Sequence, residues 1–387
     1  MKVIFGTMKD DRTAKWIGTS NGFEISPNFI AAHSQYRLAR ISSKSMNRLE
    51  REELEYSTLS VGATLAAGAG DRLIPEEPDP IRTCFERDRD RILHSTSFRR
   101  LAGKTQVFIF PSDHQRTRLT HALEVSQVAR AISQGIGLND ALTEAIALAH
   151  DCGHGPGGHA SEDAFSLFLP EGFDHAVWGA DHSLASLNLC KETLDGIRNH
   201  SWSRPQPSTP EGVVVSLADR IAYCAHDLED AINSGVVSPL DIPSSVTSVA
   251  GRTRSAHLRF LINDVINTTE KTGMLGLSPQ AGRVLSDLRL FNYENIYMRP
   301  ESVAQSVSVI QLLKQLVEYF IANPVKTATK LSDHIAADSD EAVINAIEFT
   351  SGMTDRFAFQ KAVELLGYDI SKLPIGIDVN KNPHLNP

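Results

Sequence analysis

Residues 139–164 read NDALTEAIALAHDCGHGPGGHASEDA, and the fold turns on where this stretch stops being helix. Asn139 is a short polar side chain suited to accept a free backbone N–H at a helix start, and Leu142, Ile146 and Ala149 then recur on one face. The spacing predicts a helix over NDALTEAIALAHD, with Gly153 as its stop and Gly155 and Pro156 forbidding its continuation. His150, Asp151, His154 and His159 are then left at a helix end and in a turn whose glycines let the backbone approach a ligand closely. Two readings are open here: a metal-centred site, or a glycine-rich turn that happens to hold histidines.

Outward from this stretch the pattern stays helical. In TRLTHALEVSQVARAISQGIG, residues 117–137, Leu119, Ala122, Val125, Ala129, Ile132 and Ile136 recur at steps of three and four, and glycines 135 and 137 are expected to end the helix. SLADRIAYCAHDLEDAINSG, residues 216–235, carries a similar stripe in Leu217, Ile221, Leu228 and Ile232. The main strand candidate in the core is TQVFIF at 105–110, and the proline-rich breaks at 204–212 and 238–245 read as surface loops. The expected class is all-α: a helical bundle around a single metal site, with little or no β structure. The acidic, proline-rich LIPEEPDP at 73–80 places a soft boundary near Gly70. The expected organisation is an N-terminal segment over 1–70, a core over 71–322, and a C-terminal helical segment and tail over 323–387.

Bulk properties exclude several functions. With 38 basic against 47 acidic residues and a net charge of -9, the surface repels phosphate backbones unless positive charge is gathered locally, so general nucleic-acid binding is not expected. Hydrophobic residues make up 41% of the 387, enough for a sizeable core. The four cysteines form no C-x-x-C pair, which fits a reducing compartment, and the longest small-residue run, VGATLAAGAG at 61–70, is too short to cross a bilayer. A soluble, cytoplasmic protein with no membrane partner is expected. No G-x-x-x-x-G-K-[ST] motif occurs, so β,γ cleavage by a P-loop enzyme has no support.

A divalent ion bound by imidazoles and carboxylates draws ligands from several helix ends, because one helix aims only residues three or four apart at one point. His121 beside the first apolar stripe, His150 and Asp151 at the second helix end, and Asp219 on the later helix offer such a set. A His-Asp dipeptide alone is weak, since His226 and Asp227 form another; the added His154, His159 and Glu162 strengthen the reading. Glu162, three residues past His159, shares its face if a helix begins there, and is then placed to polarise the imidazole for proton transfer. His150 and His154 are spaced like an H-E-x-x-H zinc motif, but that motif needs an unbroken helix, which Gly153, Gly155 and Pro156 make untenable.

The set His121, His150 with Asp151, and Asp219 resembles the signature of the HD-domain phosphohydrolases. More closely, FERDRDRILHSTSFRRLAGKTQVF, RTRLTHALEV, AIALAHDCGHGPGGHASEDA, ETLDGIRNHS and LADRIAYCAHDLEDA resemble successive blocks of the deoxynucleoside-triphosphate triphosphohydrolases, the dGTPase-like proteins, over roughly residues 82–234. The resemblance implies a helical bundle around one divalent metal, manganese or magnesium foremost, with iron, nickel, cobalt and zinc also compatible with the ligand types. It implies cleavage of a dNTP to deoxynucleoside and tripolyphosphate by water attack at the α-phosphorus. By the same resemblance His121, His150, Asp151 and Asp219 hold the metal, and His154, His159 and Glu162 face the scissile bond, with His159 protonating the leaving oxygen. Arg118 and Arg220 meet phosphates, while Gln106, Tyr223 and Asp227 read the sugar.

Arginines that grip oxygens bidentately suit a triphosphate, which carries about four negative charges. Asp219, Tyr223 and Asp227 step by four along one helix, a polar line whose alternative is a solvated face; Arg99, Arg100, Lys104 and Arg116 read equally as a phosphate funnel or as surface charge. Gly157 stands where the family usually has an aromatic, and GFDHAVWGADHSLAS departs from the common F-x-H-N-x-Q-S. A further active-site histidine is therefore His175, which keeps the F-D-H context, or His182. The resemblance also implies a homo-oligomer, a nucleotide activator and weak single-stranded DNA binding as partner properties. An HD-domain nucleoside-monophosphate phosphatase and a non-catalytic nucleotide- or single-stranded-DNA-binding regulator stay open as alternatives.

Overall fold

The computed structural model describes residues 12–13, 15–17, 22–33, 44–109, 114–324 and 335–374. The chain divides into two compact units, Met1–Met46 and Asn47–Pro387. In the first, β1 (Phe23–Ser26) and β2 (Phe29–Ala31) pair antiparallel with Phe23 opposite Ala31, the one sheet among the described residues.

The second unit is all helix. Its main elements are α1 (Arg48–Thr58), α2 (Cys84–His94), α3 (Thr96–Arg100), α4 (Arg118–Ile136), α5 (Asp140–Ala149), α6 (His159–Ser166), α7 (His175–Trp178) and α8 (Lys191–Arg198). There follow α9 (Pro210–Asn233), α10 (Ser244–Ala250), α11 (Arg254–Thr272), α12 (Pro279–Asn292), α13 (Pro300–Ala322), α14 (Asp340–Ser351) and α15 (Asp355–Leu366). Residues 47–70, read from sequence as part of an N-terminal segment, belong to this unit and carry α1.

Local chemistry sets the helix ends. The Asn139 side chain accepts from the Leu142 N–H and starts α5, as its position predicts. α5 ends at Ala149, four residues before the expected stop at Gly153, so His150 is the cap and Asp151 already lies in a turn. α4 runs through Gly135 and ends at Gly137 alone, whose φ of 73° gives the left-handed cap. The break expected over 204–212 closes early, because Pro210 takes the first helical position of α9 and Thr209 caps the Gly212 N–H. Residues 105–109 are turns rather than the expected strand: only Thr105 bridges to Thr117, and Phe110 lies outside the described residues.

Two large hydrophobic clusters and a small one around Phe108, Ala231 and Ile296 make up the core of the helical unit. The first joins α4, α5 and α9 through Val125, Ile132, Leu142, Ile146, Ile221 and Leu228. The second joins α6 and α7 to α13, α14 and α15 through Phe165, Trp178, Leu316, Ile347 and Phe359. α14 and α15, within the segment expected over 323–387, thus share a core with the helices that follow the glycine turn. No helix among the described residues is long and apolar enough to cross a membrane.

Candidate active site

α4, α5 and α9 converge where α5 ends. His121 on α4, His150 at the α5 cap and Asp219 on α9 bring one ligand atom each within 4.8 Å of the others. His121 Nε2 is 3.1 Å and His150 Nε2 3.6 Å from Asp219 Oδ1. Asp151 adjoins them, Oδ1 lying 3.6 Å from His150 Nε2 and Oδ2 3.9 Å from His121 Nε2. Its oxygens are shared outward as well: Arg118 Nη1 is 2.6 Å from Oδ2, and His154 Nε2 is 3.2 Å from Oδ1.

The charge states follow from these contacts. Burial alone pushes Asp151 up, but the Arg118 guanidinium and the His150 and His154 imidazoles outweigh it and hold this carboxyl well below the usual range. Burial likewise opposes ionisation of Asp219, yet the His121 hydrogen bond holds it down. The Nδ1 of His150 is 2.7 Å from the Ala147 carbonyl, which can only accept, so Nδ1 carries a proton and in the neutral ring the lone pair is on Nε2. That Nε2 is buried and has no hydrogen-bond partner.

The next residues form a second group. α6 begins at His159, and His159 Nδ1 lies 2.7 Å from Glu162 Oε2, the shared helix face expected from their spacing. Glu162 Oε1 accepts from His175 Nδ1 at 2.7 Å and from the His175 backbone N–H at 3.0 Å. Despite burial, the two imidazoles hold Glu162 far below its ordinary value. His175 is buried, which lowers its pKa, but Glu162 more than compensates and raises it. His154 stacks on His175 with centroids 3.7 Å apart; its burial, with Arg118 and His175 nearby, drives it well below the usual histidine value. His182 stacks instead on Trp178 and contacts Glu348, so of the two candidate histidines His175 is the one that joins the cluster.

One histidine escaped the sequence reading. His200, in the block quoted as ETLDGIRNHS, is buried with Nε2 3.3 Å from His175 Nε2. Its Nδ1 donates to the Ile197 carbonyl at 2.7 Å, the arrangement His150 makes with Ala147, and burial beside His150 and His175 lowers its pKa to about 4. The available signal was positional: both histidines stand just past a helix end, three residues beyond the carbonyl they bond.

These groups open into a cavity of about 470 Å³ lined also by Gln106, Arg118, Arg220, Tyr223, Asp227 and Tyr297. Arg220 lies flat over Trp202, 3.6 Å from the ring centroid. Tyr297 donates to Asp227 Oδ2 at 2.6 Å, and burial raises Asp227 to about 7. Asp227 Oδ1 and Gln106 Oε1 are buried acceptors with no partner. Asp219, Tyr223 and Asp227 therefore line a cavity rather than a solvated face. Lys104, Arg116, Arg99 and Arg100 do not line it: Arg116 pairs with Glu124, Glu229 and Asp230, and Lys104 is buried behind the turn. At the turn itself a Cβ on Gly153 would lie 2.0 Å from the His175 carbonyl oxygen and 2.4 Å from the Gly179 nitrogen.

Comparison with known proteins adds a lineage to this geometry. The HD domain family matches residues 118–224, and the phosphohydrolase-associated domain matches residues 275–364. A deoxyguanosinetriphosphate triphosphohydrolase-like protein of Caldanaerobacter subterraneus subsp. tengcongensis is 39% identical over 321 residues, covering 81% of this chain and 94% of that one. A protein of the same description from Desulfatibacillum aliphaticivorans is 38% identical over 337 residues, covering 81% and 95%. One from Clostridium perfringens is 43% identical over 263 residues, covering 64% and 77%.

Proposed function

Because the chain belongs to the family of deoxyguanosinetriphosphate triphosphohydrolase-like HD-domain proteins, we propose that it hydrolyses deoxynucleoside triphosphates at the α-phosphorus, releasing deoxynucleoside and intact tripolyphosphate. Membership makes it a metal-dependent phosphohydrolase; the substrate and the bond cut are our reading.

The observation that carries the reading is the buried, unpartnered Nε2 of His150, aimed between carboxylate oxygens of Asp151 and Asp219. An orphaned lone pair among anions is costly unless a cation completes it. His121, His150, Asp151 and Asp219 would hold that cation, a mixed nitrogen and oxygen set suited to manganese, magnesium, iron, nickel, cobalt or zinc. When bound, such an ion supplies Lewis acidity and neutralises phosphate charge.

The chain's own groups do the rest. Arg118, fixed by Asp151, and Arg220, held flat by Trp202, bind phosphate oxygens. His159, exposed at the cavity edge, keeps a proton on Nδ1 against Glu162 and presents Nε2 to the leaving 5'-oxygen as a proton donor. Glu162, which holds His159 through one oxygen, braces His175 through the other. The unpartnered acceptors of Asp227 and Gln106 take hydroxyl donors, which a sugar offers and a phosphate does not.

Incubation with each of the four dNTPs and Mn2+, with products resolved by anion exchange, tests the reading. Free deoxynucleoside with tripolyphosphate is expected. Formation of dNDP and orthophosphate overturns the regiochemistry, and release of orthophosphate from dNMP alone supports the monophosphatase alternative.

A further inference from the structure

The turn between His154 and His159 has few bonds of its own. Gly157 and Gly158 lie at φ 75° and 63°, conformations that side chains rarely adopt, and a Cβ on Gly157 would press to 2.6 Å from Val309. Ser161 ties the turn locally, its Oγ accepting from the Gly155 N–H at 3.1 Å and donating to the Gly158 carbonyl at 2.6 Å, and the remaining ties come from far along the chain. The Gly157 N–H donates to Asp355 Oδ1 at 2.8 Å, across 198 residues. The other oxygen of the same carboxylate accepts from the Thr105 N–H at 3.0 Å and from Thr105 Oγ1 at 2.5 Å. Asp355 is the first residue of α15 and is 3% exposed. Lys104 adds a second tie, its Nζ donating to the His154 carbonyl and, at 2.9 Å, to the Ser351 carbonyl at the end of α14.

We infer that Asp355 is a positioning residue, one buried carboxylate on the C-terminal helices that locks the turn leading into His159 to the Thr105–Gln106 wall of the cavity. It does not itself line the cavity and is bonded to none of the residues proposed to hold the metal; it acts through the backbone N–H groups of Thr105 and Gly157, two residues that do line it. Displacing a proton donor by about 1 Å costs on the order of 100-fold in rate, so this distant contact bears on turnover rather than on metal capture. The inference rests on the function proposed above for which reaction is slowed, and on geometry alone for the coupling.

Asp355→Asn in the full chain preserves shape but puts an NH2 group where either the Gly157 N–H or the two Thr105 donors need an acceptor. Expected for dNTP hydrolysis with Mn2+ is a fall in kcat of roughly 10- to 100-fold with KM and Mn2+ affinity within about twofold. Hydrogen exchange in a peptide spanning 155–161 should accelerate about tenfold or more, and the Thr105 amide, which donates to the same carboxylate, should accelerate with it while segments without a bond to Asp355 stay unchanged. Added to His159→Ala, Asp355→Asn should cost little more, since both act through one group. Unchanged kcat, a matching loss of Mn2+ affinity, or a further full loss on top of His159→Ala overturns the inference. If the wild type hydrolyses no dNTP, the proposed function fails by itself; the exchange measurement then still decides, and a turn as protected in the variant as in the wild type rejects Asp355's role.

Discussion

The residues proposed to hold the metal and those proposed to move protons belong to different cores. His121, His150, Asp151 and Asp219 ride on or directly after α4, α5 and α9, which interlock in the first hydrophobic cluster. His159, Glu162 and His175 ride on α6 and α7, which pack in the second cluster with α13, α14 and α15. The two groups meet at Asp151 and His154. Under the proposed roles, ion binding and turnover rest on different packing: one on the cluster that joins α4, α5 and α9, the other on helices that pack with the C-terminal α14 and α15.

The strongest way to break this division is Asp151→Ala. It removes the one carboxylate engaged by both groups and leaves Arg118 without its buried partner. Hydrolysis should fall by about 1,000-fold or more, with Mn2+ affinity lost in parallel, as read by product formation and metal titration. Retention of a tenth of wild-type activity would falsify Asp151's role in both groups.

A paired comparison sharpens it. Leu142→Ala in the first cluster and Phe165→Ala in the second each empty a fully buried site, at a cost of about 3–5 kcal/mol in chemical denaturation. The first should weaken Mn2+ binding; the second should lower kcat while leaving Mn2+ affinity near wild type. Identical patterns from the two variants would show a single cooperative core instead.

The smallest expected effect is a slope. Burial lowers Lys104 to about 8 from its ordinary 10.5, so between these pH values the unfolded chain binds more protons than the folded one. Lys104's own contribution to stability therefore rises as pH climbs from about 8 to 10.5, by up to roughly 3 kcal/mol, against an opposing fall above pH 9 from the buried Cys152, Cys190 and Cys224 thiols, whose pKa values burial raises. Denaturation across this range should lose that rise in Lys104→Met, whatever the offset at neutral pH. A variant that keeps the wild-type slope assigns it to another group.

The legible part of this molecule was local. Asn139, the apolar stripes and the turn glycines marked α4, α5 and α9, and the i, i+3 step from His159 to Glu162 predicted a contact the structure makes. Helix ends were misjudged where a cap competes with a glycine: α5 stops at Ala149, not Gly153. TQVFIF at 105–110 reads as a strand, but among the described residues no second strand pairs with it beyond the single Thr105–Thr117 bridge, and Asp355 takes up the Thr105 N–H. His200, Lys104 and Asp355 were not recognised because their roles depend on partners between 25 and 250 residues away. Spacing along a helix carries no information about such pairs.

Gly153 closes the account of why this turn takes the form it does. Two stretches of main chain, at 153 and at 175–179, run against each other with no room for one more carbon. A contact between side chains is vulnerable to deletion; this one offers nothing to delete and is vulnerable only to intrusion. Gly155 and Gly157 face side chains that can shift, but at 153 a single added methyl group would act as a wedge against main chain, and the imidazole of His175 would move with the backbone it pushes.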